Sequence, residues 1–149
     1  MNKPEPKPGL IICYDYLWFD ESLGGRDQGA KDRPCAIVVS PREDEHGERI
    51  LLVCPVTHSP PDQGEGLKIP PKVGRAMGLD ERQSWIRTTE YNEVKWSDPG
   101  IRPARKEQWA YGRMPETLYK AMRENFLENY RSHLLRRVDR TTDPDNETV

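Results

Sequence analysis

A chain of 149 residues supplies one ordinary domain. Its mean hydropathy of -0.92 and 32% charged residues describe a heavily solvated exterior. No apolar run approaches the ~18 residues that a membrane-spanning helix needs. The net charge of -2 excludes attraction to nucleic acid by the molecule as a whole, so RNA binding would require a local basic patch.

Residues 1–8 carry three prolines and read as a flexible arm without the apolar stretch of a secretory signal, so the expected compartment is cytoplasmic. Gly9 opens LIICYDYLWF, whose β-branched and aromatic residues suit a strand. Residues 20–34, rich in glycine and charge, read as a loop. CAIVVS (35–40) and ILLVCPVT (50–57) read as antiparallel neighbours joined by the charged turn PREDEHGER. The prolines of SPPDQGEG forbid a central strand there. LKIP (67–70) suits a strand, VGRAMGL makes a poor helix, and SWIRTTEYNEVKW (84–96) reads as one or two strands. DPGIRPA is a turn. Leu118, Met122, Phe126, Tyr130 and Leu134 recur at a stride of four and predict an amphipathic helix over 115–138. The acidic residues 141–149 read as a flexible tail. Together these elements predict a mainly β domain over 9–140, a small β-barrel with a C-terminal helix.

Cys13, Cys35 and Cys54 each lie in or beside an apolar run, and no Cys-x-x-Cys or Cys/His pair has ligand spacing. Buried thiols are expected, with no metal and no cofactor.

In order, Gly9 before a first strand, a Gly-rich loop, DRPCAIVVS, a charged hairpin and VCPVTHS resemble the PemK/MazF toxin family. Its members carry Arg-Pro before an apolar strand ending in Ser, then a strand ending in Pro-x-Thr. Here these are Arg33-Pro34…Ser40 and Pro55-Val56-Thr57. Residues 9–59 carry the resemblance, and Trp85 or Trp96 stands where the family has a tryptophan-containing strand. The resemblance implies an SH3-like barrel, a homodimer, metal-independent cleavage of single-stranded RNA, and neutralisation by a cognate antitoxin protein.

The chemistry suits these residues. Metal-independent cleavage uses the substrate's 2′-OH as nucleophile. A planar guanidinium such as that of Arg33 can donate two parallel hydrogen bonds to phosphate oxygens, and the Thr57 hydroxyl can donate a third. His58 is a candidate for proton transfer, although it would face away from Thr57 if the strand continued. Asp15 and Glu90 are other candidates, so the acid and base stay open. Ser59, Arg102, Arg105, Lys106 and Trp109 are candidate RNA contacts, the last four forming a basic stretch with aromatic residues interleaved. The rival reading from another class is a non-catalytic SH3-like barrel that acts on a protein partner, as gyrase poisons do.

Overall fold

The computed structural model describes residues 2–141, so the expected tail lies outside the described residues from 142 onward. The elements in chain order are β1 (Leu10–Tyr14), α1 (Phe19–Leu23), β2 (Arg33–Glu43), β3 (Arg49–Thr57), β4 (Gly66–Lys68) and α2 (Pro71–Ala76). There follow β5 (Trp85–Arg87), β6 (Glu90–Lys95), β7 (Ile101–Arg102), β8 (Ala110–Arg113), α3 (Glu116–Arg131) and β9 (Arg136–Asp139). The fold is mainly β with a C-terminal helix. All the strands belong to one sheet running β4-β5-β3-β2-β1-β7, with β6 also on β3, β8 also on β1 and β9 on β6. Hydrogen bonds do not close this sheet into a complete barrel.

The two apolar runs form the centre of the sheet, antiparallel in the register Cys35↔Pro55, Ala36↔Cys54 and Ile37↔Val53. Successive strand residues point to opposite faces, and both faces are covered here. Ala36, Val38, Cys54 and Val56 join one apolar cluster, while Cys35, Ile37, Leu51 and Val53 join another. A strand buried on both sides needs apolar residues at every position, which is why CAIVV and LLVC do not alternate. The register shifts between Val39 and Arg42, a bulge in the β2–β3 ladder.

Helix α3 covers the first cluster. Met122 and Phe126 are buried in it, and the Tyr119 hydroxyl donates to the Val38 carbonyl at 2.9 Å. The expected stripe holds for Leu118, Met122 and Phe126 and fails beyond them. A stride of four overshoots the helical repeat of 3.6, so each step rotates about 40° off the buried face. Tyr130, 68% exposed, has left that face, and Asn129 is buried in its place. Asn129 Nδ2 donates to the Thr88 carbonyl (3.1 Å) and to Thr88 Oγ1 (3.2 Å). The helix stops at Arg131 instead of 138: His133 takes φ +58° and the chain enters β9, parallel to β6.

Other boundaries differ locally. The first strand stops at Tyr14, and α1 occupies part of the expected loop, its first turn held by Trp18 N donating to Glu21 Oε1 at 3.2 Å. Residues 71–76 do form a short helix, since Pro71 at its start has the required φ and no N–H to waste. Residues 2–8 have no regular structure but are not free: Pro6 is buried, and the Lys3 ammonium sits 4.2 Å from the centre of the Trp96 ring. Among the described residues no helix is long and apolar enough to cross a membrane.

Candidate functional site

Extending the β2–β3 register two residues beyond Cys35↔Pro55 sets Arg33 opposite Thr57. These residues, 24 apart in sequence, line one cleft of about 430 Å³ with His58, Asp80, Arg105 and Tyr111. Arg33 is the first residue of β2, its backbone paired with Tyr14 of β1. Its guanidinium carbon lies 4.8 Å from the centre of the Trp18 ring, which itself meets Tyr16 edge-on. Arg33 Nε is buried without a hydrogen-bond partner, and no carboxylate among the described residues pairs with this side chain. A half-buried cation without an anion is costly, so the cleft suits an anionic ligand.

Thr57 closes β3 and is 8% exposed. Its Oγ1 accepts from Ser59 N at 3.1 Å, which leaves the hydroxyl hydrogen to donate elsewhere. The strand ends there, so His58 is not forced to the far side. It reaches across the cleft, with Nε2 2.8 Å from Asp80 Oδ2 and Nδ1 3.2 Å from the Gln83 carbonyl. Ser84 Oγ lies 3.4 Å from Nδ1. Nε2 thus faces a carboxylate, and Nδ1 faces a carbonyl with the Ser84 hydroxyl beside it. Asp80 is held below the usual carboxylate range by the Arg82 backbone N–H first, then by the Arg82 side chain and His58.

Of the candidate RNA contacts, Arg105 alone lines this cleft. Its guanidinium reaches the Gly78 carbonyl and lies 5.3 Å from the Tyr111 ring centre. Gly78 has φ +65°, and a Cβ there would collide with that guanidinium. Burial pushes the Tyr111 hydroxyl up to about 12, so it stays a donor. The basic stretch does not form one patch. Arg102 is paired with Asp32 and lines a separate hollow, while Lys106 is exposed away from the cleft. Trp109 packs against the second core cluster, and Ser59 contributes its backbone N–H to Thr57. β8 emerges from what reads in sequence as loop, because Leu10 and Ile11 of β1 need a partner along that edge.

The alternative proton carriers lie elsewhere. Asp15 faces Arg140 at 3.6 Å, and Glu90 accepts from Tyr16 Oη and Phe19 N, both at 3.0 Å. Burial raises the Glu90 carboxyl, with the Phe19 and Tyr16 hydrogen bonds opposing. His46 is exposed in the hairpin turn and His133 ends α3. All three cysteines are buried and free, and burial raises each thiol. Among the described residues no three His, Cys, Asp or Glu side chains are gathered as metal ligands.

Asp80, Gln83 and Ser84 are the parts of the site that sequence reading missed. They follow α2 in a segment without a motif, and only the return of the chain beside β3 brings them to His58. No family model matches this chain, and no curated protein matches it.

Proposed function

We propose that this protein is an endoribonuclease that cuts single-stranded RNA by attack of the 2′-OH on the adjacent phosphorus. The observation that carries this reading is the cleft in which Arg33, without a carboxylate partner among the described residues, meets Thr57 and His58. Arg33 donates to the non-bridging phosphate oxygens, and Thr57 adds a hydroxyl donor to the charge that builds in the transition state. Forming the O2′–P bond releases the 2′-OH proton to water and breaks P–O5′, so the products are a 2′,3′-cyclic phosphate and a 5′-hydroxyl. His58, oriented by Asp80, is the group in the cleft suited to hand a proton to the departing O5′. Lys31 and Arg105 at the rim attract the flanking phosphates, and Tyr111 offers a ring for stacking.

The reading extends to a PemK/MazF-type toxin in the cytoplasm, a homodimer restrained by an antitoxin; sedimentation as a monomer at tens of micromolar would count against the dimer. The direct test incubates the purified protein with a long single-stranded RNA in EDTA and maps the new 5′ ends. Discrete cuts with 5′-hydroxyl ends, absent from Arg33→Ala, are expected. Activity that depends wholly on added divalent ion defeats this mechanism, and stable binding without cuts favours the non-catalytic binder.

A further inference from the structure

Beside the reaction cleft lies a smaller hollow of about 300 Å³, and the two share a wall made by Leu79, Asp80, Arg82 and Ser84. Its size is at the low end for small-molecule sites. Ile69, Pro70 and Pro71, at the corner between β4 and α2, give it an apolar side. Arg75, Glu81 and Gln83 give it a polar one. Gln83 Nε2 donates to the Ile69 carbonyl (2.8 Å) and the Ser84 carbonyl (2.9 Å), which pins the side chain and leaves its oxygen as an acceptor. The side chains of Arg75 and Glu81 have no hydrogen bond or ion pair among the described residues. Among the described residues the hollow therefore holds an unengaged guanidinium and an unengaged carboxylate beside an apolar side, across a shared wall from the cleft of the proposed reaction.

We infer that this hollow is a base-recognition subsite for guanine, occupied by a nucleotide next to the phosphate held in the cleft; the inference rests on the ribonuclease reading. Guanine offers two donors side by side, N1–H and the 2-amino group, and two acceptors, O6 and N7. A carboxylate matches the first pair and a guanidinium the second. Adenine turns an acceptor, N1, toward the carboxylate and its 6-amino donor toward the guanidinium, so both contacts fail. Pyrimidines have no N7 edge. Single-stranded RNA exposes these edges because its bases are not paired.

The test titrates guanosine 5′-monophosphate, inosine 5′-monophosphate and adenosine 5′-monophosphate into the full chain by calorimetry, for the unsubstituted protein, Glu81→Gln and Arg75→Ala. Cut-site mapping on a long single-stranded RNA runs in parallel. About tenfold preference for the guanosine nucleotide over the adenosine one is expected, toward the low end of a bidentate contact because Glu81 is exposed. Inosine, which lacks the 2-amino group, should fall between them. Glu81→Gln should erase the preference, and cuts mapped for the unsubstituted protein should carry guanine at a fixed offset that the variant no longer shows. Equal affinities, or a preference untouched by both substitutions, overturn the subsite. Cuts without any guanine bias also overturn it and leave the nuclease reading standing. A guanine preference that both variants lose, in a protein that cuts no RNA, upholds the subsite and removes the nuclease.

Discussion

Arg33 joins two environments: its guanidinium stacks over Trp18, and its buried Nε has no partner among the described residues. Arg33→Ala should therefore abolish cleavage while lowering stability by about 0.5–2 kcal/mol, the worth of a partly desolvated cation–π contact. No acceptor is left unpaired by the truncation. Arg33→Lys should rescue poorly, since a point charge lacks the planar fork. Thr57→Val keeps the β-branched shape and removes one donor, so the rate should fall about 10²–10³-fold. Single-turnover cleavage beside thermal melting separates the two effects, and a large drop in melting temperature for Arg33→Ala would mark it as structural. Glu90 makes a second residue-scale case, one of pH. Its folded-state carboxyl is raised, chiefly by burial. The native state thus favours the protonated form, and stability is lost as pH rises from the ordinary carboxylate range through the raised value. Glu90→Gln keeps an oxygen to accept from Tyr16 and Phe19 without the charge. It should melt above the unsubstituted protein at neutral pH, and the gap should close as pH falls. Melting curves across the acid range check the sign.

The phase of α3 decides which helix positions matter. Asn129 ties the helix to the β5–β6 link through Thr88, whereas Tyr130 extends into solvent. Asn129→Ala should cost about 1–3 kcal/mol, because the Thr88 groups lose their donor in a dry setting. Tyr130→Ala should stay within about 0.5 kcal/mol. Denaturant unfolding of both variants measures the contrast; equal losses would show that Tyr130 is covered in solution, as a dimer contact would cover it. The neighbouring element boundaries follow the same logic. Residues 35–40 and 50–57 announce their strands because both faces are buried, and the continuous apolar runs say so. β8 and β9 do not announce themselves. Gly112 and Arg136 carry little strand propensity, and each strand exists because an established edge, β1 or β6, offers unpaired backbone groups.

The whole molecule carries a net charge of -2, so the RNA affinity that the proposed function requires would have to come from the cleft and its rim. Lys31, Arg33 and Arg105 line it without a carboxylate partner among the described residues, while Arg82 is paired with Asp80. Three phosphate contacts predict that log affinity for a 2′-O-methyl oligonucleotide falls with log salt at a slope of about -2. Fluorescence anisotropy over a potassium chloride series measures it. A much steeper slope would extend the binding surface well beyond this cleft, toward basic groups such as Arg113 and Arg123.

The sequence by itself determined the mainly β class, the central antiparallel pair and the terminal helix. It also marked out Arg33 and Thr57, because apolar runs, proline breaks and strand ends are local signals that need no partner to be read. It also placed the cysteines in the core. Tertiary structure alone decided that the sheet stays open, that α3 turns Asn129 inward, and that Arg102 is neutralised by Asp32. It alone brought Asp80, Gln83 and Ser84 to His58, across more than twenty residues that include β4 and α2. Those outcomes depend on which surfaces meet after the chain has turned back on itself. A contact between segments so far apart leaves no periodicity in either one.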